Sequence, residues 1–132
     1  MKKNLLKLSL LSTFIMMPLV TQASDINACI ENIEGHYYAN KYLSLRECDI
    51  EDKDIPAINS FIQSHEVEDL DLGSNKITNI GATELATNNN IKGLMLYNNN
   101  IDDEGVVELA KNANLIWLFL ENNPIGDKGL SA

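Results

Sequence analysis

The sequence predicts an α/β repeat fold: a short solenoid of stacked strand–turn–helix units with an N-terminal capping helix. Three observations carry that reading. A 24-residue pattern runs through residues 67–90 and 91–114 and begins again over 115–132. A fixed period of this size marks stacked units, none able to bury its apolar side alone. Set in register, the copies align Val67, Ile91 and Leu115, then Leu70, Leu94 and Leu118, then Leu72, Leu96 and Leu120. Within each copy the apolar spacing then changes from every second residue to helical steps, which places a strand before a helix.

One copy can be read from its residues. Leu-x-Leu is a short strand whose leucines face one way and whose intervening residues face the other. The chain must then turn, and Asn75, Asn99 and Asn123 stand where it does. A side-chain amide there satisfies backbone groups at the end of the ladder, and one Asn per copy lets each bond its neighbour's turn. Ile77, Ile101 and Ile125 follow, then Gly81, Gly105 and Gly129, and the complete copies finish Leu85-Ala86 and Leu109-Ala110. In the segment 101–110, Val106, Leu109 and Ala110 fall at helical intervals, with Asp102 as N-cap and Glu104 in the first turn. These columns resemble leucine-rich repeats of the ribonuclease-inhibitor-like type, in short exported members of bacterial type. The resemblance covers residues 67–132 and implies a right-handed solenoid with parallel strands on the concave side, a helix per repeat on the convex side and a role in recognition.

Lys2, Lys3 and Lys7 precede an apolar run from Leu8 to Val20, and small residues lead to Ala23. This reads as a signal peptide over 1–23, cut before Ser24, with export to the periplasm or the medium; a retained anchor is the alternative. The cleaved segment carries three lysines and no acids, so its loss takes the formal charge from −9 to −12. A surface this acidic repels nucleic acid and anionic membrane, leaving solubility or a basic partner as its use.

Residues 24–39 are expected to form the cap. Ser24 or Asp25 can start a helix whose Ile26, Cys29, Ile30 and Ile33 share one face, with Gly35 ending it. A divergent repeat follows over 40–66, in which Leu43, Leu45, Cys48, Ile50 and Ile58 take the columns of Leu70, Leu72, Asn75, Ile77 and Leu85 at an offset of 27. Asp54 replaces the glycine, and Pro56 suits the first turn of the outer helix. The repeat units are therefore 40–66, 67–90, 91–114 and an incomplete 115–132.

Cys29 and Cys48 both fall on inward positions. In an exported chain they either form a disulfide tying cap to first repeat or pack as two buried thiols. No cofactor or metal motif is present: there is no C-x-x-C, His36 and His65 are isolated, and Asp49, Glu51, Asp52 and Asp54 lack calcium-loop spacing and read as a solvated turn. No phosphate loop, nucleophile elbow or triad spacing appears, so a catalytic role is not expected.

Function must then lie on the surface the strands generate. Three rows point away from the leucine core: Tyr42, Asp69, Gly93 and Trp117; Ser44, Asp71, Met95 and Phe119; Arg46, Gly73, Tyr97 and Glu121. Met95, Tyr97, Trp117 and Phe119 gather on the last two strands, with Tyr42 across the sheet and Asp69, Asp71 and Glu121 as an acidic border. The expectation is a protein or peptide partner anchored on those side chains. The competing expectation is a self-associating envelope or periplasmic protein, its outermost strand offering an open edge for an edge-to-edge homodimer.

Overall fold

Alternation of leucine with a second residue makes each strand two-faced, and the leucine columns fix how the strands align. The computed structural model describes residues 27–131; the expected signal segment and the caps Ser24 and Asp25 lie outside them. β2 (Tyr42–Ser44), β3 (Asp69–Asp71), β4 (Gly93–Met95) and β5 (Trp117–Phe119) run parallel, side by side in chain order. Leu43 pairs with Leu70, Leu70 with Leu94 and Leu94 with Leu118, as the columns require. Leu43, Leu45, Leu70, Leu72, Leu94 and Leu96 are at most 1% exposed, whereas Leu118 and Leu120 are only half-buried.

Each strand leads to a helix through two fixed devices. The residue just before the asparagine column adopts a left-handed backbone: Glu47, Ser74, Asn98 and Asn122 have φ of 55°, 56°, 54° and 58°. That conformation reverses the chain, and Asn tolerates it better than Glu or Ser. The column asparagine then ties neighbouring repeats. Asn75 Oδ1 accepts from the N–H groups of Cys48 and Ile50, and its amide donates to the carbonyls of Leu45 and Leu72. Asn99 and Asn123 repeat the pattern one and two units on.

The outer helices are α2 (Ile55–His65), α3 (Asn79–Ala86) and α4 (Asp103–Ala110), with a short α5 (Asp127–Leu130) after β5. Asp102 caps α4 as its position predicted, accepting from the Glu104 N–H at 2.9 Å, and Thr78 caps α3 in the same way. Ile55, Ile58, Ile62, Ala82, Leu85, Val106 and Leu109 turn inward from these helices onto the strand leucines. A second polar ladder runs behind them. The buried Asn88 donates to Asn59 Oδ1, and Asn112 donates to the carbonyls of Ala86 and Asn88.

The N-terminal segment departs from expectation. In place of a helix running to Ile33, α1 spans only Ala28–Glu31, capped by the Asn27 side chain on the Cys29 N–H, and a 3-10 turn follows over Ile33–His36. Gly35 lies inside that turn and ends no helix. The chain then forms β1 (Tyr37–Tyr38), antiparallel to β2, so the sheet is mixed. Two anchors explain the short helix. Cys29 and Cys48 form a disulfide, and Asn27 donates to the carbonyls of Cys48 and Asp49, so the first turn is fixed at both ends. Cys29, Ile30, Ile33 and Tyr37 pack against the core of the first repeat.

At the start of the strands Glu68 bridges two repeats, 2.9 Å from Lys41 and 2.8 Å from Lys92. The hydrogen bond from Lys92, then that from Lys41, holds its carboxyl well below the ordinary 4.5, at about 2. A depressed carboxylate stabilises the fold above its ordinary value, and that contribution is lost as the pH falls from 4.5 through about 2. Side-chain carbon NMR at low ionic strength should show Glu68 titrating near 2, and Lys92→Ala should move it towards the ordinary value. A Glu68 that titrates with the other glutamates would contradict the bridge.

Candidate functional site: the open face of the sheet

The side of the sheet opposite the leucines is where the sequence placed its candidate residues, and the register sets their spacing. Tyr42, Asp69, Gly93 and Trp117 form one row across the strands, and Ser44, Asp71, Met95 and Phe119 the next. Trp117 is 36% and Phe119 46% exposed, although the leucines flanking them turn inward. Their rings are 5.5 Å apart at 46°, forming one tilted aromatic surface. Met95 and Tyr97 are half-buried beside them, and Glu121 is exposed at the edge.

Two glycines seat the aromatic rings. A Cβ built on Gly93 would stand 2.0 Å from Trp117 Cζ2, and one built on Gly73 would stand 2.1 Å from Tyr97 Cζ. Neither glycine has a positive φ. Each is therefore required by the ring lying on it, which comes from the following repeat. Gly73 and Gly93 are site residues that the row assignment contained without revealing their role; a small residue one repeat before an exposed aromatic was the available signal.

Asp69 and Asp71, paired in the acidic border, have different environments. Asp71 is buried. Its Oδ1 accepts from the Gly73 N–H at 2.8 Å, while Oδ2 accepts from the hydroxyls of Tyr42 at 3.2 Å and Tyr97 at 3.5 Å. It therefore positions two tyrosines and does not form an exposed rim, because those donors replace the water a carboxylate needs. Burial raises the Tyr97 hydroxyl above its ordinary value and the Asp71 charge raises it further; burial is also the main cause for Tyr42. Asp69 is half-buried beside Trp117.

Two residues outside the expected set extend the face. Tyr38 on β1 stacks on Tyr42 with ring centroids 5.7 Å apart and is 53% exposed. The Arg46 guanidinium lies 5.9 Å over the Tyr97 ring and pairs with Glu47. The face thus runs from Tyr38 at one margin to Trp117 and Phe119 at the other.

The remaining candidates have structural partners. Asp52 accepts from the N–H groups of Thr78 and Gly81 and from the Thr78 hydroxyl, Glu51 and Asp54 cap each other's backbone, and Asp49 pairs with Lys76 at 2.6 Å. The acidic turn is therefore more than a solvated loop: Asp52 links one repeat to the helix of the next. Cys29, Cys48 and His36 bring their ligand atoms within 4.8 Å of one another, but the two sulfurs are bonded as a disulfide and offer no thiolate.

The comparisons with known proteins bear on the repeats. A search of curated proteins gives no significant match to the chain. The leucine-rich repeat family model matches residues 63–86, 87–110 and 111–132, with the same period as the sequence columns and boundaries four residues earlier. Those matches span just over half of the 132 residues. With the parallel strands, the inward leucines and the asparagine ladder, they establish that this chain belongs to the leucine-rich repeat family.

Proposed function

We propose that the chain is an exported, non-catalytic recognition module that binds a protein or peptide on the open face of its sheet. Leucine-rich repeats are generally protein–protein interaction modules. In this reading the repeats stack as a short right-handed solenoid of the ribonuclease-inhibitor-like subclass, the open face is its concave side, and the disulfide-linked segment caps its N-terminal end. One observation carries the proposal: Trp117 and Phe119 remain exposed on a surface where Gly93 and Gly73 make room for the Trp117 and Tyr97 rings to lie against the sheet. Ordered aromatics rimmed by polar groups make anchors, since little conformational entropy is lost when a partner covers them.

Export is supported by the disulfide, which belongs to an oxidising compartment, and by residues 1–23 read as a signal peptide. Among the described residues no helix is long and apolar enough to cross a membrane. The test is a pull-down with the mature chain beside a Trp117→Ala, Tyr97→Ala variant. A partner held through this face should lose at least about 2 kcal/mol, roughly thirtyfold in affinity. Equal retention by both proteins would move the binding site elsewhere.

A second reading, self-association, is favoured by β5. Among the described residues this strand pairs only with β4, and its Leu118 is half-buried where the leucines it follows are covered. Light scattering after size exclusion decides between them: a mature chain that stays monomeric at high concentration removes the second reading.

A further inference from the structure

The open face divides by chemistry along the repeat axis. β3 presents the half-buried Asp69 carboxylate, Asp71 being buried beneath its donors, while β4 and β5 with the residues after them present Met95, Tyr97, Trp117 and Phe119. Gly93 lies between the two halves. Asp69 Oδ1 and Trp117 Cζ2 stand 2.3 and 2.0 Å from the point a Gly93 Cβ would occupy, so the carboxylate and the ring edge meet over the same glycine. Asp71 is held by Gly73, Tyr42 and Tyr97, but among the described residues no hydrogen bond or ion pair engages the Asp69 carboxylate. A carboxylate beside an aromatic ring attracts a cation through its charge, and the ring offers apolar surface to the stem that carries it.

The fold already contains one example of this pairing. Arg46, the basic residue of the three open-face rows, lies over Tyr97 and pairs with Glu47. Lys92, which adjoins Gly93 in sequence, is turned to Glu68 at the start of the strands. The seat formed by Asp69, Trp117 and Phe119 thus has acid and aromatic in place, and the chain's own cations near it are engaged elsewhere. The formal charge of −9 favours the same sign of ligand.

We infer that this seat takes the lysine or arginine side chain of a peptide lying across β3 to β5, its apolar stem on Met95 and Phe119 and its charged head at Asp69. The inference rests on the open face being the binding surface and adds the chemistry of what binds there. Lysine and arginine suit it because each joins an apolar stem to a charge, matching the order of apolar and acidic groups across the strands.

The test begins with a tryptophan-free random peptide library displayed on phage, panned on the mature protein and counter-selected on the Trp117→Ala, Tyr97→Ala variant. Trp117 is the only tryptophan in the chain, so its fluorescence then reports binding of each selected peptide at the seat. The selected peptides should share a basic residue. Replacing that lysine by acetyl-lysine, or that arginine by citrulline, should weaken binding about tenfold, and Asp69→Asn should do the same. Glu104→Gln removes equal charge from the exposed start of α4 and should leave affinity within about twofold, as distant exposed charges are screened. Equal weakening by Asp69→Asn and Glu104→Gln would overturn the seat in favour of diffuse attraction. Peptides without a basic residue that still require Trp117 and Tyr97 would overturn the cation while leaving the binding face intact. A library yielding no peptide that distinguishes the two proteins would remove both.

Discussion

Replacing Cys29 and Cys48 by alanine is expected to lower the thermal unfolding midpoint by about 15 °C, from a loss of about 3 kcal/mol. The bond joins residues separated by 19 positions, so it removes considerable freedom from the unfolded chain. A domain this small is typically stable by only about 5–15 kcal/mol. The segment it holds has few other attachments. Asn27 donates to two carbonyls, the Tyr37 hydroxyl donates to the His65 carbonyl, β1 pairs over two residues, and Ile30 and Ile33 are only half-buried. Without the bond, hydrogen exchange should rise first over residues 27–38 and then across the first repeat, whose Leu45 and Ile50 lie in the core they help cover. Thermal melts by circular dichroism with and without reductant give the measurement. A midpoint shift of only a few degrees would mean that packing and hydrogen bonds hold the segment without the bond.

The same contrast explains what could be read from the chain alone. Strand register and inward leucines were legible because each is written again at a fixed spacing and one-dimensional stacking copies it from repeat to repeat, and the Asp102 cap because a capping residue directly precedes a helical pattern. The N-terminal segment occurs once. Its helix was overestimated because Ile26, Ile30 and Ile33 have helical spacing, while the disulfide that fixes its first turn depends on a residue 19 positions away and β1 forms a short hairpin with β2 that apolar spacing does not reveal. Other features repeat but fall outside apolar patterning. Asn88 and Asn112 are buried 24 residues apart, and the left-handed column just before Asn75, Asn99 and Asn123 is a backbone property. On the open face the direction of each side chain was legible and its neighbours were not. Asp71 follows the alternation of its strand, yet Tyr42 and Tyr97 cover it from the strands on either side.

Asn99→Ala should destabilise the fold by about 2 kcal/mol, because one amide serves four backbone groups and, among the described residues, alone partners the Ile77 N–H. Its Oδ1 accepts from the Ile77 N–H at 2.9 Å, and its Nδ2 donates to the carbonyls of Leu72 at 2.9 Å and Leu96 at 3.1 Å. Alanine leaves the Ile77 N–H unpaired near the core, costing about 1–3 kcal/mol where water cannot replace the bond, whereas the Leu72 and Leu96 carbonyls keep the amides of Asn75 and Asn123. Asn99→Asp separates the two halves of the amide. Aspartate can still accept from Ile77, but its charge would face two carbonyl oxygens, so it should be at least as damaging as alanine at neutral pH. The same change at Asn123 should cost less, since its repeat is more exposed and water reaches the freed groups. Urea unfolding at constant m-value gives the three numbers. Wild-type stability in Asn99→Asp would show that the acceptor half alone matters. Because the Asn99 amide also donates to the Tyr97 carbonyl, a loosened turn should reach the open face of the sheet. A destabilised but folded Asn99→Ala protein should therefore show a shifted Trp117 emission, as Trp117 starts β5, which pairs with β4 just before the Leu96 and Tyr97 carbonyls that this amide holds.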